Sequence, residues 1–349
     1  MFSSYLQQKK ELILQALSAY IASQKNQDVG INEWKLDALD RIEAFMQNGK
    51  MIRGTLVYLG ATIAEAKDTE DLANLALAME FFQTGLLMHD DIIDNATARR
   101  GKPTLHTTYT ELMNKKQSRY PKNTGTSLAI LTGDIAFFLG MQLLTKLQNQ
   151  SLATFCTKEL QTVSYAQMLD VALGASNRPA KSINDILKMY QNKTGRYSIL
   201  LPLTIGAMMG KANAQTLKHI AKSSEALGIA FQLVDDSLDI FGNEQITGKT
   251  IGTDIQEGKQ TPYIHFLRAL GDETITQHIQ ELFNKGTITP EDMVWVKQKI
   301  KKTGIDKKIV AMISEYKTQA IEAITRIPMK NETQKLTLSF VEYLTNRIQ

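Results

Sequence analysis

Residues 75–94 read LALAMEFFQTGLLMHDDIID. An apolar run with no proline, long enough for four helical turns, ends in three aspartates. At about 3.6 residues per turn, Asp94 falls angularly between Asp90 and Asp91, so one helix face carries all three. Residues 224–239, SEALGIAFQLVDDSLD, repeat the plan: an apolar stretch, then Asp235, Asp236 and Asp239 at the same i, i+1, i+4 spacing. A stretch that is helical at both places sets the fold class, and the rest of the chain agrees with it.

Working outward, helical periodicity covers 5–24, 33–48, 55–66, 69–95, 127–149, 151–174, 183–194 and 213–241. Residues 200–210, LLPLTIGAMMG, are apolar almost throughout, as a fully buried helix requires. Thr289, Pro290 and Glu291 mark a further helix start, and Ser182 with Asp185 resembles a capping box. Residues 114–127, NKKQSRYPKNTGTS, are polar, with Pro121 and Gly125, and are predicted to be an exposed loop. The 349 residues include only seven prolines and show no linker rich in Pro, Gly or Ser. They are therefore read as one all-α domain, 1–349, without internal repeats.

Forty basic against 36 acidic residues leave a net charge of +4, too small an excess to imply nucleic acid. The single cysteine, Cys156, excludes an intrachain disulfide. Five histidines with no HExxH or CxxC spacing give no zinc site. Charges at Lys9, Lys10 and Glu11 interrupt what would be the core of a signal peptide, and Asp134 breaks the most apolar run. The expectation is a soluble, cytoplasmic protein with no membrane span.

Either aspartate cluster alone reads as a solvated helix face. Two matching clusters ask for more, because adjacent like charges destabilise a helix and partial burial adds to the cost. Protein cations would offset this, as would Mg²⁺, a hard ion that takes carboxylates while keeping waters and substrate phosphates. The magnesium reading requires further cations aimed at phosphate. Candidates are Arg99, Arg100 and Lys102 after the first cluster, and Lys249 and Lys259, each following a glycine, after the second. Lys50 and Arg53 in NGKMIRG, and Lys193 with Thr194 in NKTG, add to them. Singly, each is an ordinary surface charge. Gly248-Lys249-Thr250 is no P-loop, because Asn243 stands where that motif needs glycine.

In order along the chain, Gly49-Lys50-Arg53, HDDIIDNATARRGKPTLH (89–106), Gly133-Asp134, Gln167 with Asp170, Lys193-Thr194 and FQLVDDSLDIFGNEQITGKTIGTDIQEGKQTP (231–262) resemble the trans-type polyprenyl diphosphate synthases. The closing helices, with Pro328 and Arg347, resemble that family too. The resemblance implies a helical bundle around a deep central cavity, with the two clusters facing each other across its mouth. It implies condensation of isopentenyl diphosphate with an allylic diphosphate, without a His, Ser or Cys nucleophile. By carry-over, Asp90, Asp94 and Asp235 ligate three Mg²⁺ ions, and Asp91 and Asp239 support or share that role. Arg99, Lys193, Thr194, Gln232, Lys249 and Lys259 hold the allylic diphosphate; Lys50, Arg53, Gln83 and Arg100 hold isopentenyl diphosphate. Asp90, Asp94, Arg99, Lys193, Asp235 and Lys249 form the catalytic set.

The sequence departs from the family pattern at Gln83, where histidine is usual, at Met51, often basic, and at Gly54, usually proline. One turn before the first cluster, Gly85 and Leu86 would floor the growing chain. Glycine there leaves room for a product of C20 or longer, with Phe81 and Phe82 either closing the cavity or merely packing between helices. Alternatives are a farnesyl diphosphate synthase, a non-catalytic partner subunit, a class I terpene cyclase and a purely structural helical protein. A homodimer is implied by the resemblance alone.

Overall fold

The computed structural model describes residues 1–174, 182–242 and 251–346, and their fold is all-α. Lys249 and Arg347 lie outside the described residues. Two compact units are distinguished: Met1–Thr154 with Pro202–Ala212, and Phe155–Leu201 with Asn213–Gln349.

The first unit contains α1 (Phe2–Lys25), α2 (Asn32–Gln47), α3 (Ile52–Ile63), α4 (Glu70–Ile93), a short hairpin of β1 (Ala98–Arg99) and β2 (Lys102–Pro103), α5 (Leu105–Lys115) and α6 (Pro121–Lys146). Thr69 caps α4, its hydroxyl accepting from the Leu72 N–H at 3.2 Å. α4 packs most extensively against α6, and the two interlock by placing rings over glycines. A Cβ at Gly85 would meet the Gly133 carbonyl oxygen at 2.8 Å and the Phe137 ring at the same distance, and one at Gly133 would meet the His89 ring at 2.5 Å.

Residues 114–127 are mostly helix, correcting the loop expectation: α5 runs to Lys115, and Pro121 opens α6. Proline at the first helical position forgoes an N–H that has no intrahelical partner in any case, so it starts the helix. α6 is, among the described residues, long and apolar enough to cross a membrane by length and composition; 44% of its apolar window is buried within the fold.

The second unit holds most of α7 (Gln150–Gly174), then α8 (Ile183–Tyr190), a π-helical segment (Gln191–Leu200), and α10 (Ala214–Phe241), with α9 (Leu201–Met209) intervening in sequence. After these come α11 (Thr253–Gln256), α12 (Pro262–Arg268), α13 (Glu273–Asn284), α14 (Pro290–Thr303), α15 (Ile305–Thr325) and α16 (Asn331–Thr345). Its core is built around Leu233, Ile264, Leu267, Ile279, Val296 and Ile309, all at most 1% exposed. Each such side chain contributes about 1.5–3 kcal/mol by burial. Cys156, in α7, is wholly buried, and burial pushes its thiol up to about 12.

The capping box expected at Ser182 is one-sided: the hydroxyl accepts the Asp185 N–H and donates to the Asp185 carboxylate. The full reciprocal box occurs instead at Thr289 and Asp292, opening α14.

Candidate active site

The first aspartate cluster closes α4, and its members do not share one environment. Asp91 has turned inward and is 1% exposed, whereas Asp90 and Asp94 are half-buried. Asp91 stands about 100° round the helix from Asp90, enough to carry it across the edge of the buried face. Arg99 on β1 reaches back, its Nε 2.5 Å from Asp91 Oδ1 and its Nη2 3.6 Å from Asp90 Oδ2. Burial raises the Asp91 pKa, and Arg99 opposes the rise. Asp91 Oδ2 is buried with no hydrogen-bond partner.

The hairpin separates the two arginines. Arg100 and Gly101 occupy its two-residue turn with φ of 53° and 72°, the pattern of a type I′ turn. Arg99 therefore faces the aspartates, while Arg100 lies 5.8 Å from the Phe45 ring centre and acts electrostatically on buried Glu80, as Arg53 does. Lys50 is exposed, and Arg53 and Gln83 are half-buried.

The accessible stripe of α4 runs through Gln83, Leu86, Asp90 and Asp94. Gly85 is not on it, which corrects the expectation that glycine opens space there: its face is filled by Gly133 and Phe137. Phe82 also faces α6, and Phe81 meets Tyr20 of α1 edge-on at 5.7 Å. Both phenylalanines are fully buried, packing between helices.

The second cluster, near the end of α10, repeats the division. Asp236 is 2% exposed, and Asp235 and Asp239 are half-buried. Tyr190 donates to Asp236 Oδ2 at 2.6 Å, and Gln232 Nε2 donates to Oδ1 at 3.1 Å. Asp239 accepts from the Thr253 hydroxyl at 2.7 Å and from the Thr253 and Asp254 N–H groups, capping short α11. Burial, then the nearby Asp254 charge, pushes the Asp236 pKa far up and that of Asp239 up to about 7.

The π-helical segment supplies Lys193, which pairs with Asp170 of α7, and Thr194, whose hydroxyl donates to Gln232 Oε1 at 2.8 Å. It is anchored by Arg196, which forks onto Glu159, 1% exposed, with Nε 2.8 Å from Oε2. Lys259 Nζ lies 3.3 Å from Asp254 Oδ1 and 2.5 Å from Glu257 Oε2.

Residue reading had not singled out Tyr190, Asp254, Glu80 or the Arg196–Glu159 pair. Only the spacing of Asp254 after the second cluster was a signal; the others emerge from burial, which periodicity alone does not assign.

The donors suit a hard divalent ion. They are carboxylate oxygens, and those of Asp90, Asp94, Asp235 and Asp239 belong to half-buried rather than sealed side chains. Among the described residues no three acidic, histidine or cysteine side chains close into a complete metal site. Waters and phosphate oxygens would therefore have to complete the shell, as Mg²⁺ prefers.

A sequence profile described as polyprenyl synthetase matches residues 38–300. The chain is 28% identical over 312 residues to a geranylgeranyl diphosphate synthase of Saccharolobus solfataricus, covering 86% of this chain and 87% of that one. It is 29% identical over 242 residues to a short chain isoprenyl diphosphate synthase of Methanocaldococcus jannaschii, covering 68% of each. In structure it is similar to a geranylgeranyl pyrophosphate synthase from Corynebacterium glutamicum complexed with isoprenyl diphosphate and magnesium, with a TM-score of 0.89, 26% identity and coverage of 98% and 99%. The chain belongs to the polyprenyl synthetase family.

Proposed function

We propose that the chain condenses isopentenyl diphosphate with an allylic diphosphate, giving a trans-polyprenyl diphosphate of C20 or longer and releasing diphosphate. Enzymes of this family are prenyltransferases that use Mg²⁺ and these two substrates. One observation carries the assignment of residues: in both clusters the second aspartate is buried and held by protein partners while the first and last stay accessible. Asp90, Asp94, Asp235 and Asp239 are thereby presented as ligands, and Asp91 and Asp236 hold the helix ends that carry them.

Three Mg²⁺ ions would neutralise charge on the departing diphosphate and so lower the barrier to breaking the allylic C–O bond. Arg99, Lys193 and Lys259, with Lys249 outside the described residues, hold the allylic diphosphate. Thr194 and Gln232 orient it. Lys50, Arg53, Gln83 and Arg100 hold isopentenyl diphosphate, whose double bond attacks the allylic carbon. The new carbocation loses its proton to the released diphosphate, so no side-chain base is required. Apolar residues such as Leu86, beside Asp90, exclude water from the cation.

The profile match spans parts of both compact units, which supports reading 1–349 as one catalytic domain. A homodimer is part of the proposal, supported by exposed Ile130, Leu131 and Phe138 on α6. So is a cytoplasmic location, supported by the lone buried cysteine. The test is purification of the chain alone and assay with farnesyl diphosphate, labelled isopentenyl diphosphate and Mg²⁺. Chromatography is expected to show Mg²⁺-dependent C20 or longer products. Absence of elongation by the pure chain would favour a non-catalytic subunit.

A further inference from the structure

The first turn of α3 has no cap of its own. Its N-cap residue, Met51, sits in the left-handed region at φ 53° and makes no side-chain capping bond. A helix nevertheless leaves its first N–H groups without intrahelical acceptors. The acceptor arrives from α4: the Gly54 N–H donates to Glu80 Oε1 at 2.7 Å, and the Arg53 backbone hydrogen-bonds to the same carboxylate. Glu80 is 6% exposed, so this acceptor lies inside the fold.

The approach requires glycine. A Cβ at position 54 would lie 2.7 Å from Ile13 Cδ1, 2.9 Å from the Ala76 carbonyl oxygen and 3.2 Å from Glu80 Cγ. Proline, the residue the family pattern leads one to expect there, has no N–H to donate. Burial raises the Glu80 pKa, opposed by the Gly54 N–H and the charges of Arg53 and Arg100. The carboxylate thus touches the backbone of one arginine and lies in the field of two.

We propose that Glu80 is a positioning residue for the isopentenyl diphosphate site: from within the core it caps α3 through Gly54 and so sets the direction of Arg53. The role assigned to Arg53 rests on the function proposed above.

The test compares Glu80→Ala, which removes the acceptor, with Glu80→Gln, which keeps an acceptor of equal reach. Steady-state kinetics with each substrate varied in turn are joined to hydrogen exchange of the amides of residues 53 and 54. Glu80→Ala is expected to raise KM for isopentenyl diphosphate about tenfold, the usual consequence of stranding a buried donor, with the allylic KM changing less than about twofold. Glu80→Gln is expected to recover most of that loss, and exchange to quicken in the alanine variant only. Should Glu80→Ala fail to fold, Glu80→Asp takes its place, withdrawing the carboxylate by one methylene, and must raise the same KM. Equal rises in both KM values, a fall confined to kcat, or unchanged amide exchange would overturn the proposal. An inactive wild-type chain would instead count against the function, since exchange reads the cap without turnover.

Discussion

At the scale of single residues, the second aspartate of each pair does work different from that of its neighbours. Asp91 and Asp236 are buried with partners of their own, so replacing either disturbs a helix end before it disturbs a ligand. Asp239 yields a pH prediction. Folding raises its pKa from 3.8 to about 7, so the folded state holds this proton more tightly than the unfolded chain. Its contribution to stability is complete below about pH 4 and is lost as the pH climbs through 7. Metal ligation needs the carboxylate, so Mg²⁺ uptake should release a proton at pH 6 and much less at pH 8. Calorimetry in buffers of different ionisation enthalpy measures the release, and Asp239→Asn should abolish the difference between the two pH values. Identical release at both would refute the assignment. The i, i+1, i+4 spacing made these six acids visible in the sequence. Their division into buried and accessible members depends on where the edge of the packed face falls, which needs the neighbouring helices.

Among elements, the α4–α6 pair and the contact of α10 with the π-helical segment position the candidate ligands. Gly228 of α10 touches that segment backbone to backbone: a Cβ there would fall 2.1 Å from the Gly195 Cα. Gly228→Ala should therefore cost about 1–3 kcal/mol in denaturant unfolding and lower kcat/KM by displacing Lys193 and Thr194. Full stability with full activity would contradict this. On α4 the substitution that addresses product length is Leu86→Phe, because Leu86 shares the accessible stripe with Asp90. It should shorten the product on chromatography, whereas Gly85→Phe should first damage the fold by driving a ring into Gly133 and Phe137. Unchanged product length in Leu86→Phe would remove Leu86 from the chain-length role. Most of the longer helices were readable from apolar spacing, whereas α5 and the short β1–β2 hairpin were not. The start of α6 was misread because Pro121 and Gly125 resemble turn residues, and only a helix already in place shows proline at its first position. The π-helical stretch gave no sign, since its extra residue per turn leaves the apolar pattern looking merely irregular.

For the whole molecule, composition and the absence of linkers carried the all-α class, and the ordered motifs carried the family. Assembly was not legible, because an apolar face reads alike whether it meets its own fold or a second copy. Phe138 is 65% exposed on α6, beside Ile130 and Leu131 on the same helix. Phe138→Glu should convert a dimer to a monomer in analytical ultracentrifugation while leaving the helical circular dichroism intact; an unchanged sedimentation coefficient would place the dimer contact elsewhere. The sealed position of Cys156 has one more consequence. A thiol with no path to solvent and almost no thiolate at neutral pH cannot react with iodoacetamide while α7 stays packed. The chain therefore carries its own clock: alkylation counts each opening of the helix that bears Glu159 and Asp170, and substrates that hold this helix shut should slow the count without touching the sulfur.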